Sequence, residues 1–272
     1  MYSGPYMMSS VLHNHPAIRR SREALAREGW LHRYAALVAS ANGLLRALKR
    51  ADLESLSKDF ETVELKFKES LHEPGDPTPF VYFPDDGVVS LLTVLENGMA
   101  VELGHVGREG MVDISVFLGL EASESRIIIQ VPGFAQRMDS TRFRRHVDAL
   151  PGLRRIMGAY VLEFFTMVAQ TTACNRQHTI QQRFARWVLM TQDRTARDEF
   201  PITQEFLAEM LGVTRPKVTS AAGAMKRRGL INYRRGLMTV DNRARLETAA
   251  CECYALVLDR FEDFVSSSRM QA

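Results

Sequence analysis

Cysteine is scarce. The 272 residues hold three, Cys174, Cys251 and Cys253, too few and too badly spaced for a disulfide framework. Apolar runs stay far below the roughly 20 residues that a membrane-spanning helix needs. The opening MYSGPYMMSSVLHNHP lacks the charged start and apolar block of a signal peptide, so a soluble, cytoplasmic protein is expected. No activated nucleophile, phosphate loop or paired catalytic carboxylate stands out, and an enzyme is not expected. Histidines are few, and a metal-dependent double-layer barrel would want them paired on adjacent strands. Only His72 and His105 fall in the strand-rich region, and His13-x-His15 reads as part of a tail. No metal site and no cofactor is therefore expected. Cys251-x-Cys253 reads as buried, inert helix cysteines rather than as part of a thiol sensor.

What the chain does have is room for two domains and, at 46% apolar residues, material for ordinary cores. Its most informative stretch is Thr203–Gly223, TQEFLAEMLGVTRPKVTSAAG. Leu207, Leu211, Val213, Val218 and Ala221 fall where two short helices joined by a tight turn bury their inner faces. Ala208 is small where the helices would cross, and Gly212 sits where the turn needs a positive backbone angle. Thr214 is expected to cap the second helix, with Pro216 tolerated in its first turn. Such a helix-turn-helix presents one helix to the DNA major groove.

The flanks agree. Between Thr203 and Leu246 the bases are Arg215, Lys217, Lys226, Arg227, Arg228, Arg234, Arg235, Arg243 and Arg245, against Glu205, Glu209 and Asp241. The whole chain is only +3, so this segment carries more than the total excess, as phosphate contact requires. Leu230–Tyr233 and Leu237–Val240 read as strands around Arg234-Arg235-Gly236, a wing with two arginines at its tip.

Four regions are expected: an extension over 1–41, a β-domain over 42–150, a long helix over 151–178 and a DNA-binding domain over 179–272. The extension carries Arg19, Arg20, Arg22 and Arg27 and is either a basic arm or, as preferred, a tail without a task. Asn42 and Asp52 read as caps of helices Gly43–Lys49 and Leu53–Lys58. Turn signals separate the strands Phe80–Phe83, Val88–Val94, Ala100–Val106 and Arg126–Val131, with Glu96-Asn97-Gly98 as a hairpin turn. Short strands at this spacing predict an antiparallel barrel or jelly roll. After Pro151, Leu153, Met157, Tyr160, Phe164, Met167, Thr171 and Cys174 alternate steps of four and three, the pattern of a coiled-coil seam. Ile156, Val161, Phe165 and Val168 form a second apolar edge that could pack on the barrel. A partner chain on the first seam is expected, the alternative being a helix buried within a monomer.

β-domain, long helix and winged helix-turn-helix, in that order, resemble the Crp/Fnr superfamily of bacterial transcription regulators. The resemblance runs over about residues 42 to 254 and rests on VYFPDDGVVSLL, VELGHVGREGMV, the Thr203–Gly223 unit and the wing. It implies an α+β fold with an N-terminal double-stranded β-helix resembling a cyclic-nucleotide-binding domain. It also implies a homodimer on a two-fold DNA operator, with RNA polymerase as a further partner. The DNA-contacting positions it suggests are Thr203, Thr214, Arg215, Pro216, Lys217, Thr219, Ser220, Lys226, Arg234 and Arg235. Where the catabolite-activator branch has a base-reading Glu, this chain has Pro216. On the ligand side, nucleotide-binding members carry Gly-Glu for the ribose and Arg-Ser or Arg-Thr for the phosphate, and here those places hold Gly110-Met111 and Arg126-Ile127. Met111 and Ile127 cannot supply the missing polar contacts. Glu109, Arg126, Thr171 and Thr172 complete the candidate pocket, and regulation by cyclic AMP is not expected. The competing class is a ligand-binding signalling protein whose helical C-terminus meets protein instead of DNA.

Overall fold

The structure is a computed structural model that describes residues 40–260. The extension expected over 1–41, with its arginines, lies outside the described residues apart from its last two positions. The chain enters through Asn42, whose carboxamide oxygen accepts from the amides of Leu44 and Leu45 and so caps helix α1 (Gly43–Arg46) as expected. The amide of the same side chain donates to the carbonyls of Pro84 (3.0 Å) and Gly110 (2.8 Å), tying the helix to the β-domain. The next helix differs from expectation. Helix α2 (Arg50–Ser57) starts before Asp52, with Lys49 at the cap position and no capping side chain. Asp52 lies instead in the first turn, where its charge suits the helix dipole.

Seven strands follow: β1 (Phe60–Leu65), β2 (Ser70–His72), β3 (Phe80–Pro84), β4 (Val88–Val94), β5 (Ala100–Val106), β6 (Arg126–Val131) and β7 (Gly133–Asp139), with the short helix α3 (Ile114–Phe117) between β5 and β6. They form two antiparallel sheets, ordered β1-β7-β3 and β2-β6-β4-β5, a jelly-roll-like double layer rather than a single closed ring of hydrogen bonds. Buried residues of both sheets, among them Phe60, Phe83, Ile127, Ile129, Ala135 and Met138, belong to one continuous apolar core. The Phe60 and Phe83 rings meet edge to face at 5.4 Å. β4 runs apolar over Val88, Val89, Leu91 and Leu92, and its first five residues are buried on both sides, the helix over Ile180–Thr195 packing against it. At the β4–β5 turn Gly98 has φ +80°, and Asn97 accepts from the Met99 amide.

Helix α4 (Ser140–Ala149) leads into α5 (Pro151–Gln177), and α6 (Ile180–Thr195) follows after one turn. Thr179 and Gln182 form a reciprocal capping box that fixes the start of α6. The C-terminal unit comprises β8 (Glu199–Pro201), α7 (Gln204–Met210), α8 (Arg215–Arg227), β9 (Ile231–Arg234), β10 (Leu237–Val240) and α9 (Arg243–Ala249), followed by helix α10 over 253–260. No helix among the described residues is long and apolar enough to cross a membrane.

The face that α5 buries differs in part from the expected arrangement: of the second edge, Ile156 is buried and Val168 is half-buried against the core as expected. Leu153, Met157, Tyr160, Phe164, Met167 and Cys174 are buried within this one chain, and Thr171 is half-buried. They therefore do not form a seam open to a partner. Gly104 opens β5 at this point: a Cβ there would stand 2.7 Å from the end of Met167 and 3.8 Å from the Phe164 ring. Tyr160 donates to the Met111 carbonyl at 2.9 Å, and burial pushes its phenol pKa upward, keeping it a neutral donor. Phe165, expected to pack on the β-domain, points outward instead.

Candidate nucleic-acid interface

The C-terminal unit builds its reading surface from inside out. Leu207, Leu211, Val218 and Ala221 are buried, with Phe206, Ala222 and Met225 beside them, and Val213 is half-buried against the same core. Gly212 adopts φ +61°, so the turn between α7 and α8 uses the left-handed conformation that glycine allows. With that inner face satisfied, α8 shows Arg215, Pro216, Lys217, Thr219 and Ser220 to solvent in its first turns. Two capping details differ from each other. Thr203 accepts from the Phe206 amide at 3.2 Å and caps α7. Thr214 stands at the cap position of α8, but its side chain makes no capping bond, contrary to expectation.

The exposed face is partly organised. Arg215 forms an ion pair with Glu205 across the turn at 2.9 Å, both side chains remaining more than half exposed. Such a pair is weak in water and can open toward a base or phosphate. Thr219 lies 2.8 Å from the Gln204 carboxamide and 3.1 Å from the Arg215 carbonyl, either of which its hydroxyl can donate to. Gln204 is thus a member of the surface that sequence reasoning did not single out. Lys226, Arg227 and Arg228 are exposed at the end of α8.

The wing is a three-stranded antiparallel sheet, β8-β10-β9. Sequence reading anticipated two of the strands and missed β8, which is only three residues long. Arg235 and Gly236 have φ of +52° and +77°, the two successive left-handed residues of a tight hairpin turn. That turn leaves Arg234 and Arg235 exposed at the tip. Tyr233 braces the wing by donating to the Ile202 carbonyl at 2.9 Å.

A polar layer joins this unit to the β-domain. Trp187 of α6 donates to the buried Glu102 at 2.9 Å, Ser90 lies 2.9 Å from the same carboxylate, and Gln130 donates to Thr191 at 3.0 Å. Burial works against the Glu102 charge, but His105, Ser90 and Trp187 hold its carboxyl below the ordinary range. Burial also lowers the His105 pKa, with Arg194 adding to the effect. Arg194 pairs with Glu109 at 2.7 Å, and Arg197 pairs with Asp86. Phe206 meets Phe67 edge to face at 6.1 Å, bringing α7 against the β-domain.

The residues expected to line a ligand pocket do not converge on one cavity. Glu109 is engaged by Arg194, and Arg126 pairs with Glu73 at 2.7 Å. Met111 and Ile127 are fully buried core side chains. Gly110 lies under Tyr160, whose hydroxyl oxygen would be 2.2 Å from an added Cβ. Thr172 is exposed and bonds the Val168 carbonyl, and Thr171 accepts from Arg186 at 3.0 Å. Of these residues Thr171 lines a small cavity, between β5, α5 and α6, shared with His105, Asn175, Arg183 and Trp187.

The three cysteines are free and buried, Cys251 and Cys253 as expected, but they come together in one group. Cys174, at the end of α5, is buried within this chain. It stands 3.5 Å from Cys251, sulfur to sulfur, with Cys253 and His178 completing the group. The signal that could have revealed this is the Cys174–His178 spacing, which puts both on one side of the last helical turn.

Residues 182–249 match the Crp-like helix-turn-helix domain family. No curated protein matches the sequence significantly. Among solved structures, FixK2 from Bradyrhizobium japonicum superposes with a TM-score of 0.59 at 14% identity, over 71% of this chain and 98% of that one. A putative Crp/Fnr-family regulator from Eubacterium rectale gives 0.59 at 18% identity, over 76% and 96%. A CRP-family regulator from Thermus thermophilus gives 0.59 at 21% identity, over 69% and 96%. The chain thus has the fold of the Crp/Fnr transcription regulators and carries, over residues 182–249, a Crp-like helix-turn-helix domain, the DNA-binding unit of such a regulator.

Proposed function

We propose that this DNA-binding regulator acts in the cytoplasm as a homodimer, reads a two-fold symmetric site, and does so without a cyclic nucleotide. The observation that carries the reading is α8: its inner face is buried, and Arg215, Lys217, Thr219 and Ser220 are held out in its first two turns. Arg215 and Lys217 reach base edges, Thr219 and Ser220 lie nearer the backbone, and Lys226, Arg234 and Arg235 meet phosphates. RNA polymerase is the protein partner such a regulator engages.

Support for the dimer comes from the outer face of α5. Gly158, Leu162, Phe165, Ala169 and Thr172 step by four and three along it, and all are exposed. Leu162 and Phe165 are 62% and 69% exposed, large apolar side chains on a helix otherwise well packed. Small residues at Gly158 and Ala169 allow a second α5 to approach closely, making a parallel pair. Independence from cyclic nucleotides is supported by Met111 and Ile127 in the core, by Tyr160 over Gly110, and by Glu73 on Arg126.

Selection of bound duplexes from a random pool tests the reading. The expected result is enrichment of inverted half-sites spaced by about one helical turn, ~34 Å. Enrichment of a single unsymmetric half-site, or none, contradicts it.

A further inference from the structure

We infer that Cys174, His178, Cys251 and Cys253 form a mononuclear Zn²⁺ site that ties the end of α5 to the start of α10. One ligand atom from each of the four lies within 4.8 Å of all the others. The Cys174 and Cys251 sulfurs are 3.5 Å apart, and the Cys253 sulfur is 3.5 Å from Nδ1 of His178. Ligands at about 2.3 Å (sulfur) and 2.0–2.1 Å (nitrogen) around a tetrahedral ion stand roughly 3.5–3.8 Å apart. In a [4Fe–4S] cluster each thiolate binds a different iron, and in a [2Fe–2S] cluster the two ligand pairs sit on separate irons, so either would spread the four donors farther apart than these. Soft thiolate and imidazole donors in a closed four-ligand set favour zinc over hard cations.

The surroundings complete the case. His178 Nε2 lies 3.2 Å from the Glu252 carboxylate, the partner that holds the ring with Nε2 protonated and the Nδ1 lone pair free for metal. The Gln170 amide donates to the Cys253 sulfur at 3.0 Å, a contact suited to a thiolate. The three cysteines are buried and form a cluster separate from the main apolar core. Ligands arrive from two segments: Cys174 and His178 from the last turn and cap of α5, Cys251 from the turn after α9 and Cys253 from the first position of α10. A bound ion therefore stiffens the Gln177–Thr179 junction between the long helix and α6 and anchors the C-terminal segment against it.

The test is metal content of the full chain, purified under reducing conditions and then loaded with Zn²⁺ or Co²⁺ alone. About one Zn²⁺ per chain is expected, with the visible absorption of tetrahedral thiolate-bound Co²⁺ that Zn²⁺ displaces. Cys251→Ser with Cys253→Ser should abolish both signals, and His178→Ala should weaken binding at least tenfold. In case the double variant fails to fold, the unmodified chain stripped by a chelator should melt about 10 °C lower and recover on adding Zn²⁺. Absence of binding at micromolar Zn²⁺, metal retained by the folded double variant, or recovery of a Cys174–Cys251 disulfide from reduced preparations would overturn the site. Metal content is read without DNA, so this outcome is separate from the DNA-binding reading.

Discussion

Phe164 and Phe165 are adjacent in α5 and lie on different faces of it: the first is 7% exposed, near Gly104 of β5, and the second is 69% exposed. One step along a helix turns the side chain by about 100°, so this pair marks the boundary between the face that builds the monomer and the face left for a second chain.

Phe165→Asp should therefore weaken self-association at least tenfold while leaving the monomer folded, since the new charge is in water until a partner arrives. Phe164→Asp should instead lower thermal stability sharply, because a carboxylate would be buried among apolar groups. Sedimentation and thermal melts of both variants separate the two. A dimer undisturbed by Phe165→Asp, or an unmodified chain that stays monomeric at micromolar concentration, would remove the assignment of this face.

Base reading and phosphate positioning should divide between α8 and the wing. Arg215→Ala should cost about 1–3 kcal/mol on a matched site and far less on a scrambled one, whereas Arg235→Ala should weaken both alike. Competition binding on the two duplexes is the check. Equal losses for Arg215→Ala would place that side chain on the backbone, and its ion pair with Glu205 would then be the resting state of a phosphate clamp.

Neither cyclic AMP nor cyclic GMP should bind tightly or alter the DNA complex. Losing two polar partners for a charged ligand, at roughly 1–3 kcal/mol each, weakens affinity by orders of magnitude. Titration calorimetry with each nucleotide, followed by DNA binding with and without it, decides this. Micromolar binding that also tightens the DNA complex would be incompatible with the packing of Met111, Tyr160 and Ile127.

Much of this was legible in residues 203–240, where local rules and tertiary packing agree. A glycine needing φ > 0, a small crossing residue and five apolar positions are all local signals, and the structure fits them around Gly212. The strands with clear apolar runs were equally plain, whereas β1 (FETVEL), β2 (SLH) and β7 (GFAQRMD) were not, because polar and charged residues interrupt their apolar positions. Periodicity identified two apolar edges on α5 but could not say which met its own β-domain. That choice depends on Gly104, far away in sequence, making room for Met167 and Phe164. The cysteine–histidine group was hidden for the same reason: Cys174 and Cys251 are brought together only by the packing of the last helices against α5 and α6.

The most direct measurement is the salt dependence of binding to duplex DNA by the full chain. A dimer setting α8 and the wing of each copy on the backbone meets roughly six phosphates. The logarithm of its affinity should then fall against the logarithm of salt with a slope of about −5. Removing Arg234 and Arg235 together should make the slope shallower. Binding that is absent at low salt, or that does not change with salt, would contradict a groove-reading surface on α8.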